Sequence, residues 1–75
     1  MADVKIDCLG MQCPQPLVET RKALRKMNKG KVLEVVGDHA VSFKEIPMVV
    51  KETGDKVLSA KETGGGKWKI EIKKG

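Results

Sequence analysis

Hydrophobic and polar residues alternate at the start of the chain. Val4, Ile6 and Cys8 occupy every second position, with charged residues between them. A period of two is the pattern of a half-buried β-strand. We expect a strand here that ends at Gly10, where a glycine allows a tight corner.

The next hydrophobic pattern is helical and begins at two closely spaced prolines. Pro14 and Pro16 suit the first turn of a helix, whose early N–H groups have no intrahelical partner to lose. Uncharged side chains then recur at spacings of three and four, and basic residues fall elsewhere on the wheel. The uncharged stripe consists of Leu17, Val18, Thr20, Leu24 and Met27. We predict an amphipathic helix from Pro14 to about Gly30, with one core face and one basic face.

A second helical pattern follows near the middle of the chain. Ser42 and Glu45 have the spacing of a capping box. An apolar stripe accompanies them, made of Phe43, Ile46, Val49 and Val50. Pro47 lies within this stripe, and a proline inside a helix removes a backbone donor and crowds the preceding turn. We therefore expect a bend at Pro47 or a helix that starts near it.

Three further segments predict strands. Val32–Val36 is a β-branched run between glycines, which is typical of a buried, central strand. Segments 56–61 and 67–73 follow, and the second alternates Trp68, Ile70 and Ile72 with charged residues. The glycines at 64–66 predict a hairpin turn between these two segments.

The element order is therefore strand, helix, strand, helix, strand, strand. Two helices with one apolar face each need one face of a sheet to cover. We predict an α/β (α+β) two-layer sandwich with both helices on one face of a four-stranded mixed sheet. The other face should be wet, and the charged residues expected on it are Lys67, Lys69, Glu71 and Lys73. These residues would also protect the last strand if it lay at an edge.

Composition excludes several classes of function. The chain has 75 residues, and 15 basic against 10 acidic ones give a net charge of +5. A domain of this size buries only roughly 60% of the surface that its unfolded chain exposes. We expect one domain over residues 1–75, with no deep pocket for a large cofactor and no cofactor requirement. No apolar run reaches the ~20 residues of a membrane span, and no secretion signal is visible. We expect a cytoplasmic protein, monomeric when free, that binds no membrane.

Cys13 is the candidate reactive group. Two cysteines and one histidine are too few for a structural zinc site, so we expect no metal. Cys13 immediately precedes the predicted helix, and cysteines at helix N-termini have depressed pKa values and react as thiolates. Because prolines lack an N–H, the amides of Gln15 and Leu17 are the expected backbone donors near the sulfur. Alternatively, Cys13 merely occupies a loop-to-helix junction.

Two other residues bear on this chemistry. Cys8 lies on the inward face of the first strand, which predicts a buried structural thiol; the alternative is a resolving partner for Cys13. His39, the only histidine, is expected to be exposed in a loop. Without a base beside Cys13, a Cys-His hydrolase is disfavoured. The simplest role for an activated thiolate on a small domain is to carry a group covalently.

The segment Asp7-Cys8-Leu9-Gly10-Met11-Gln12-Cys13-Pro14-Gln15-Pro16 resembles the D-x-x-G-x-x-C-P-x-P signature of the TusA family of sulfur-carrier proteins, also called SirA-like. All five fixed positions match, and the likeness extends over essentially the whole chain. The resemblance implies the fold of the C-terminal domain of translation initiation factor three, which agrees with the sandwich predicted above.

The resemblance also implies a function. Members accept a sulfane sulfur from a cysteine desulfurase or rhodanese-type donor and hold it as a persulfide on the cysteine that matches Cys13. They pass it to a relay or acceptor protein for tRNA thiolation, molybdenum-cofactor synthesis or sulfur oxidation. This makes the chain a sulfurtransferase-type carrier rather than a stand-alone enzyme. The motif residues expected to support the Cys13 loop are Asp7, Gly10, Pro14, Gln15 and Pro16, with Asp7 accepting loop N–H bonds.

The chain departs from the family pattern at two places. Many members have Asp-Asp-Pro where Asp38-His39-Ala40 stands, and some have a second cysteine in helix two where Val50 stands. A two-cysteine mechanism using helix two is therefore absent. Cys8 is not required by the signature, which leaves open a Cys8/Cys13 dithiol redox protein or a role in selenium metabolism.

Basic residues on the first helix suggest a docking surface. They are Arg21, Lys22, Arg25 and Lys26, spaced to share a face. We expect this surface to dock an acidic partner protein, because complementary charge speeds encounter and fixes orientation. A solvated face is the alternative, and a regulatory binding module using this helix is the competing function. Direct nucleic-acid binding is disfavoured because Phe43 and Trp68 are both expected to face inward, which leaves no stacking platform.

Overall fold

The computed structural model describes residues 3–12 and 15–75. Its elements in chain order are β1 (Val4–Cys8), α1 (Gln15–Lys26), β2 (Val32–Gly37), α2 (Ala40–Glu52), β3 (Lys56–Gly64) and β4 (Lys67–Lys73). This is the predicted order. The predictions that concern Cys13 and Pro14 lie outside the described residues.

The four strands form one mixed sheet in the order β1-β2-β4-β3. β1 and β2 are parallel, with Cys8 opposite Gly37, and α1 provides the crossover that parallel neighbours require. β4 pairs antiparallel with both β2 and β3. The predicted central position of β2 is confirmed. β4 is also central, so its charged residues protect no edge, and the two edges are β1 and β3.

Both helices cover the same sheet face, which confirms the two-layer α+β sandwich. The core residues under 10% exposed are Cys8, Leu24, Met27, Leu33, Val35, Ile46, Val50, Trp68, Ile70 and Ile72. The opposite face is charged. There the Glu34 carboxylate lies 3.2 Å from the Lys5 ammonium and 3.9 Å from that of Lys69, linking three neighbouring strands.

α1 buries Pro16, Thr20 and Leu24, which are four residues apart and therefore lie on one side of the helix. The Thr20 hydroxyl is fully buried and donates to the Pro16 carbonyl at 2.8 Å. The prediction that Val18 belongs to the core stripe is wrong. Val18 is 43% exposed because it points roughly opposite to this buried side.

α2 begins earlier than its sequence pattern predicts. Its first residue is Ala40, and His39 is the N-cap. Ser42, predicted as the capping residue, lies buried inside the first turn with its hydroxyl 3.1 Å from His39 Nδ1. The capping box is therefore wrong, and so is the exposed loop position of His39, which is half-buried. The helix runs through Pro47 instead of starting there.

The predicted hairpin is confirmed, with a longer first strand. β3 extends to Gly64, and Gly65 and Gly66 form the turn. Both turn residues have positive φ, 62° and 77°, as the type I′ turn preferred by tight hairpins requires. Within the described residues, no helix is long and apolar enough to span a bilayer.

Candidate functional site

The candidate site lies where β1 and β2 end side by side. Because these strands are parallel, the loop that follows β1 and the residues that follow β2 meet at the same end of the sheet, where both strands have their carboxyl ends. The Gly10 N–H donates to Asp38 Oδ1 at 3.1 Å, across 28 residues of sequence. Carboxyl ends of parallel strands are a common location for functional sites. The described part of the signature before α1, residues 7–12, lies at this end of the sheet.

The loop after β1 is held by its own hydrogen bonds. Asp7 Oδ1 accepts the Leu9 N–H at 2.9 Å, and the Cys8 carbonyl accepts the Met11 N–H at 3.1 Å. Gly10 has a φ of 79°, a conformation that costs a residue with a side chain roughly 1–2 kcal/mol. The tight corner expected at Gly10 is thus present, and so is the expected hydrogen bond from a loop N–H to the Asp7 carboxylate.

The loop joins α1 through Gln12 and Gln15, with Cys13 and Pro14 outside the described residues. The Gln15 N–H donates to the Gln12 carbonyl at 2.8 Å. This amide is therefore engaged in a turn immediately before the helix, and its expected position near the Cys13 sulfur lies outside the described residues. Pro16 is buried in the first turn of α1 and anchors the helix start against the core.

Cys8 is a buried, free thiol. It is 1% exposed, as expected for a structural residue. Burial raises the pKa of the Cys8 thiol, and the nearby carboxylates of Glu19 and Asp7 raise the pKa further. Each effect disfavours the thiolate, so Cys8 is a poor nucleophile at neutral pH.

The buried Trp68 side chain packs against the end of β2 and the start of α2, next to the site. A Cβ built on Gly37 would lie only 2.5 Å from Cζ2 of the Trp68 ring, so glycine is what lets β2 pass over the indole. The Trp68 Nε1–H donates to the His39 carbonyl at 3.0 Å, and the ring centroids of Trp68 and Phe43 are 5.7 Å apart. These contacts of Trp68 connect β4 with the end of β2 and with the start of α2.

The sequence reasoning did not identify Gly37 and Asp38 as site residues. A usable signal was present, since both directly follow a predicted strand that is parallel to the strand before the signature loop. Two parallel strands bring the residues after them to the same end of the sheet. The specific Asp38 to Gly10 hydrogen bond depends on three-dimensional placement, which residue spacing does not reveal.

The four predicted docking residues are all exposed, and three of them, Arg21, Lys22 and Arg25, line one cavity of about 200 Å³ on the outer face of α1. Lys22 and Lys26 line a groove of about 310 Å³ between α1 and β1. Arg21 and Arg25 line a smaller cavity of about 100 Å³ on the other side of the helix. The basic surface is therefore continuous across α1, and its two flanks differ in their neighbours, which are β1 beside Lys22 and Lys26 and the segment after α2 beside Arg21 and Arg25.

A metal site is not formed by the part of the chain that the structure describes. Across residues 3–12 and 15–75, no three or more His, Cys, Asp or Glu side chains are grouped so that they could hold a metal ion.

Comparisons with known proteins agree with this arrangement. The family described as sulfurtransferase TusA matches residues 4–74. The sulfur carrier protein TusA of Allochromatium vinosum is 36% identical over 72 residues, covering 96% of this chain and 93% of that protein. A Thermotoga maritima protein named as a candidate sulfur carrier is 46% identical over 68 residues, covering 91% of this chain and 86% of its own length.

The fold has a solved counterpart. The crystal structure of a SirA-like protein from Desulfitobacterium hafniense matches with a TM-score of 0.86 at 27% identity, covering 96% of this chain and 97% of that one. Fold and signature loop together define a class, the small SirA-like α+β proteins. Within that class, the chain belongs to the TusA family.

Proposed function

We propose that this protein is a sulfur carrier that holds a sulfane sulfur as a persulfide on Cys13. The observation that carries the proposal is the family match over residues 4–74, which includes the complete signature around Cys13. The relatives named as sulfur carriers support the same role. The loop before Cys13, fixed at Asp7 and Gly10, is the kind of rigid mount that a covalent carrier needs.

The proposed reaction is a sulfur transfer between two thiolates. The Cys13 thiolate attacks the terminal sulfur of a donor persulfide and forms a new S–S bond. The donor's own S–S bond breaks, and its cysteine leaves as a thiolate. Atoms and electrons balance without any oxidant or cofactor, and the same step in reverse roles delivers the sulfur to an acceptor thiolate.

The two cysteines differ in their suitability for this step. Burial and neighbouring carboxylates raise the pKa of Cys8, so Cys8 stays a protonated thiol. Cys13 precedes the first residue of α1 by two positions, where the positive end of the helix dipole favours a thiolate. We therefore assign sulfur binding to Cys13 and a structural role to Cys8.

The proposed partners are proteins. A cysteine desulfurase or a rhodanese-type protein would load Cys13, and a relay protein would accept the sulfur for tRNA thiolation, cofactor synthesis or sulfur metabolism. The exposed residues Arg21, Lys22, Arg25 and Lys26 would dock these partners through acidic surfaces. The carrier would work in the cytoplasm, where thiols are kept reduced.

Intact-mass spectrometry after incubation with a cysteine desulfurase and free cysteine tests the proposal. We expect wild-type protein to gain one sulfur that dithiothreitol removes. Cys8→Ala is the matched control and should load as wild type does, whereas Cys13→Ser should not load. Equal loading of Cys13→Ser and wild type, or loss of loading in Cys8→Ala with the fold intact, would contradict the assignment.

A further inference from the structure

The two edges of the sheet are built differently. β3 has register shifts between Val57 and Ser59 and again between Glu62 and Gly64. Such irregularities, together with charged residues, are devices by which edge strands avoid pairing with other chains. β1 is instead regular, since five consecutive residues pair with β2 without a shift. Among the residues that the structure describes, no strand pairs with the outer side of β1, so β1 is the edge suited to accept an added strand.

An open groove lies directly beside this edge. It has a volume of about 310 Å³ and runs between β1 and α1. Four of its lining residues are apolar: Val4, Ile6, Ala23 and Met27. Val4 and Ile6 are only half-buried, although they point towards the helical layer. The hydrophobic core is therefore incompletely covered along β1, and an added strand could bury this surface.

The rim of the groove is predominantly positive. Its charged residues are Lys22, Lys26 and Glu19. The Lys22 ammonium lies 4.0 Å from the Glu19 carboxylate. Among the residues that the structure describes, Lys26 has no carboxylate within 4.0 Å. One lysine is thus left to pair with an incoming acidic group, beside apolar surface that strengthens the ion pair by excluding water.

A second copy of the chain is a poor occupant of this groove. If two β1 edges paired around a two-fold axis, the α1 helices would flank the junction from both sides. Lys22 and Lys26 of one copy would then approach the same residues of the other, because a two-fold interface uses the same patch twice. Like charges at close range oppose association. The charge of the rim favours an acidic partner instead.

We propose that the β1 edge and the groove beside it, here called the β1 groove, bind an extended acidic segment of a partner protein by strand addition. Main-chain hydrogen bonds to β1 provide affinity, and side chains on alternate positions provide specificity. Apolar side chains of the segment contact Ile6 and Met27, and acidic ones pair with Lys22 and Lys26. This goes beyond the proposed sulfur carriage, since it separates two of the four basic residues from the others and needs no reaction at Cys13.

The probe is a synthetic peptide of roughly eight residues, long enough to cover a short strand. Valine and glutamate alternate along one of its faces, and threonine occupies the other positions. We expect saturable shifts in the ¹⁵N NMR spectrum of the full chain that centre on β1, Ala23 and Met27. A peptide with lysine in place of glutamate, and one with N-methylated amides that cannot pair with β1, should not bind.

Two charge-reversed variants give a matched comparison on the protein side. Lys22→Glu/Lys26→Glu should weaken peptide binding at least tenfold. Arg21→Glu/Arg25→Glu makes the same charge change on the same helix and should weaken it less than threefold. Equal loss in both variants would show a non-specific charge effect and overturn the proposal. No saturable shifts, binding of the N-methylated peptide, or a dimer in sedimentation that the peptide cannot dissociate would overturn it as well.

Discussion

Substituting Gly37 tests whether the contact beneath the site is as tight as the structure has it. Gly37 is a strand residue without positive φ, and alanine at such a position normally stabilises by about 0.5–1 kcal/mol. Here a Cβ would lie 2.5 Å from Cζ2 and 2.7 Å from Cη2 of Trp68. Carbon atoms normally approach to about 3.5–4.0 Å, so the ring or the strand must move by roughly 1 Å. The sign of the change in the free energy of unfolding therefore shows whether the contact between Gly37 and Trp68 is this tight.

The Trp68 ring has little freedom to move. It is 2% exposed, it lies against Phe43, and its indole N–H donates to the His39 carbonyl at 3.0 Å. Overpacking a core costs about 1–3 kcal/mol, and disturbing the indole hydrogen bond costs about 1 kcal/mol more. We expect Gly37→Ala to lower the free energy of unfolding by about 2–4 kcal/mol. In a domain of this size each kcal/mol lowers Tm by roughly 4–8 °C.

Urea unfolding of a double-mutant cycle measures this contact. Trp68→Phe removes the part of the ring that would meet the new Cβ, so it should make Gly37→Ala less costly. The double variant should be more stable than the sum of the single effects by at least about 0.5 kcal/mol. Unchanged or increased stability of Gly37→Ala, or strict additivity in the cycle, would refute the reasoning.

Two further predictions concern the loop and the buried thiol. Asp38→Ala should speed hydrogen exchange of the Gly10 amide about 5–10-fold, because the hydrogen bond at 3.1 Å is worth about 1 kcal/mol. Asp38→Asn keeps an acceptor oxygen and should stay close to wild type. Equal protection of the Gly10 amide in Asp38→Ala and wild type would refute the contribution of this hydrogen bond. The raised pKa of Cys8 predicts a pH dependence of stability. Below its usual value of 9.0 both states hold the proton, but above it the unfolded thiol ionises first and stability falls. Cys8→Ala should lack this contribution, so the difference between its urea midpoint and that of wild type should shift in its favour as the pH rises above 9.0. A constant difference would contradict the assignment.

The sequence predicts most of the fold because the elements are short and their patterns are strong. Hydrophobic residues at every second position mark the buried faces of two strands. They are Val4, Ile6 and Cys8 in β1 and Trp68, Ile70 and Ile72 in β4. The glycine triplet marks the hairpin. These are local signals, and periodicity is sufficient to interpret them.

The start of α2 and the details of the site depend on contacts between distant residues. A capping box at Ser42 is a local signal, but the hydrogen bond from Trp68 to the His39 carbonyl helps to fix where the helix begins. Asp38 and Gly10 are similarly joined across the sheet edge. The different neighbours of the two flanks of the basic surface depend on α1 lying between β1 and the segment after α2. Spacing along the chain contains none of this information.

Cold cyanolysis of the loaded protein tests the central claim most directly. Cyanide takes the terminal sulfur from a persulfide as thiocyanate and leaves the cysteine thiolate. Protein loaded by a cysteine desulfurase and then purified from it should release about one thiocyanate per chain, with Cys8→Ala equal to wild type, because only one thiolate carries sulfur. Thiocyanate release from loaded Cys13→Ser at the wild-type level would contradict the account.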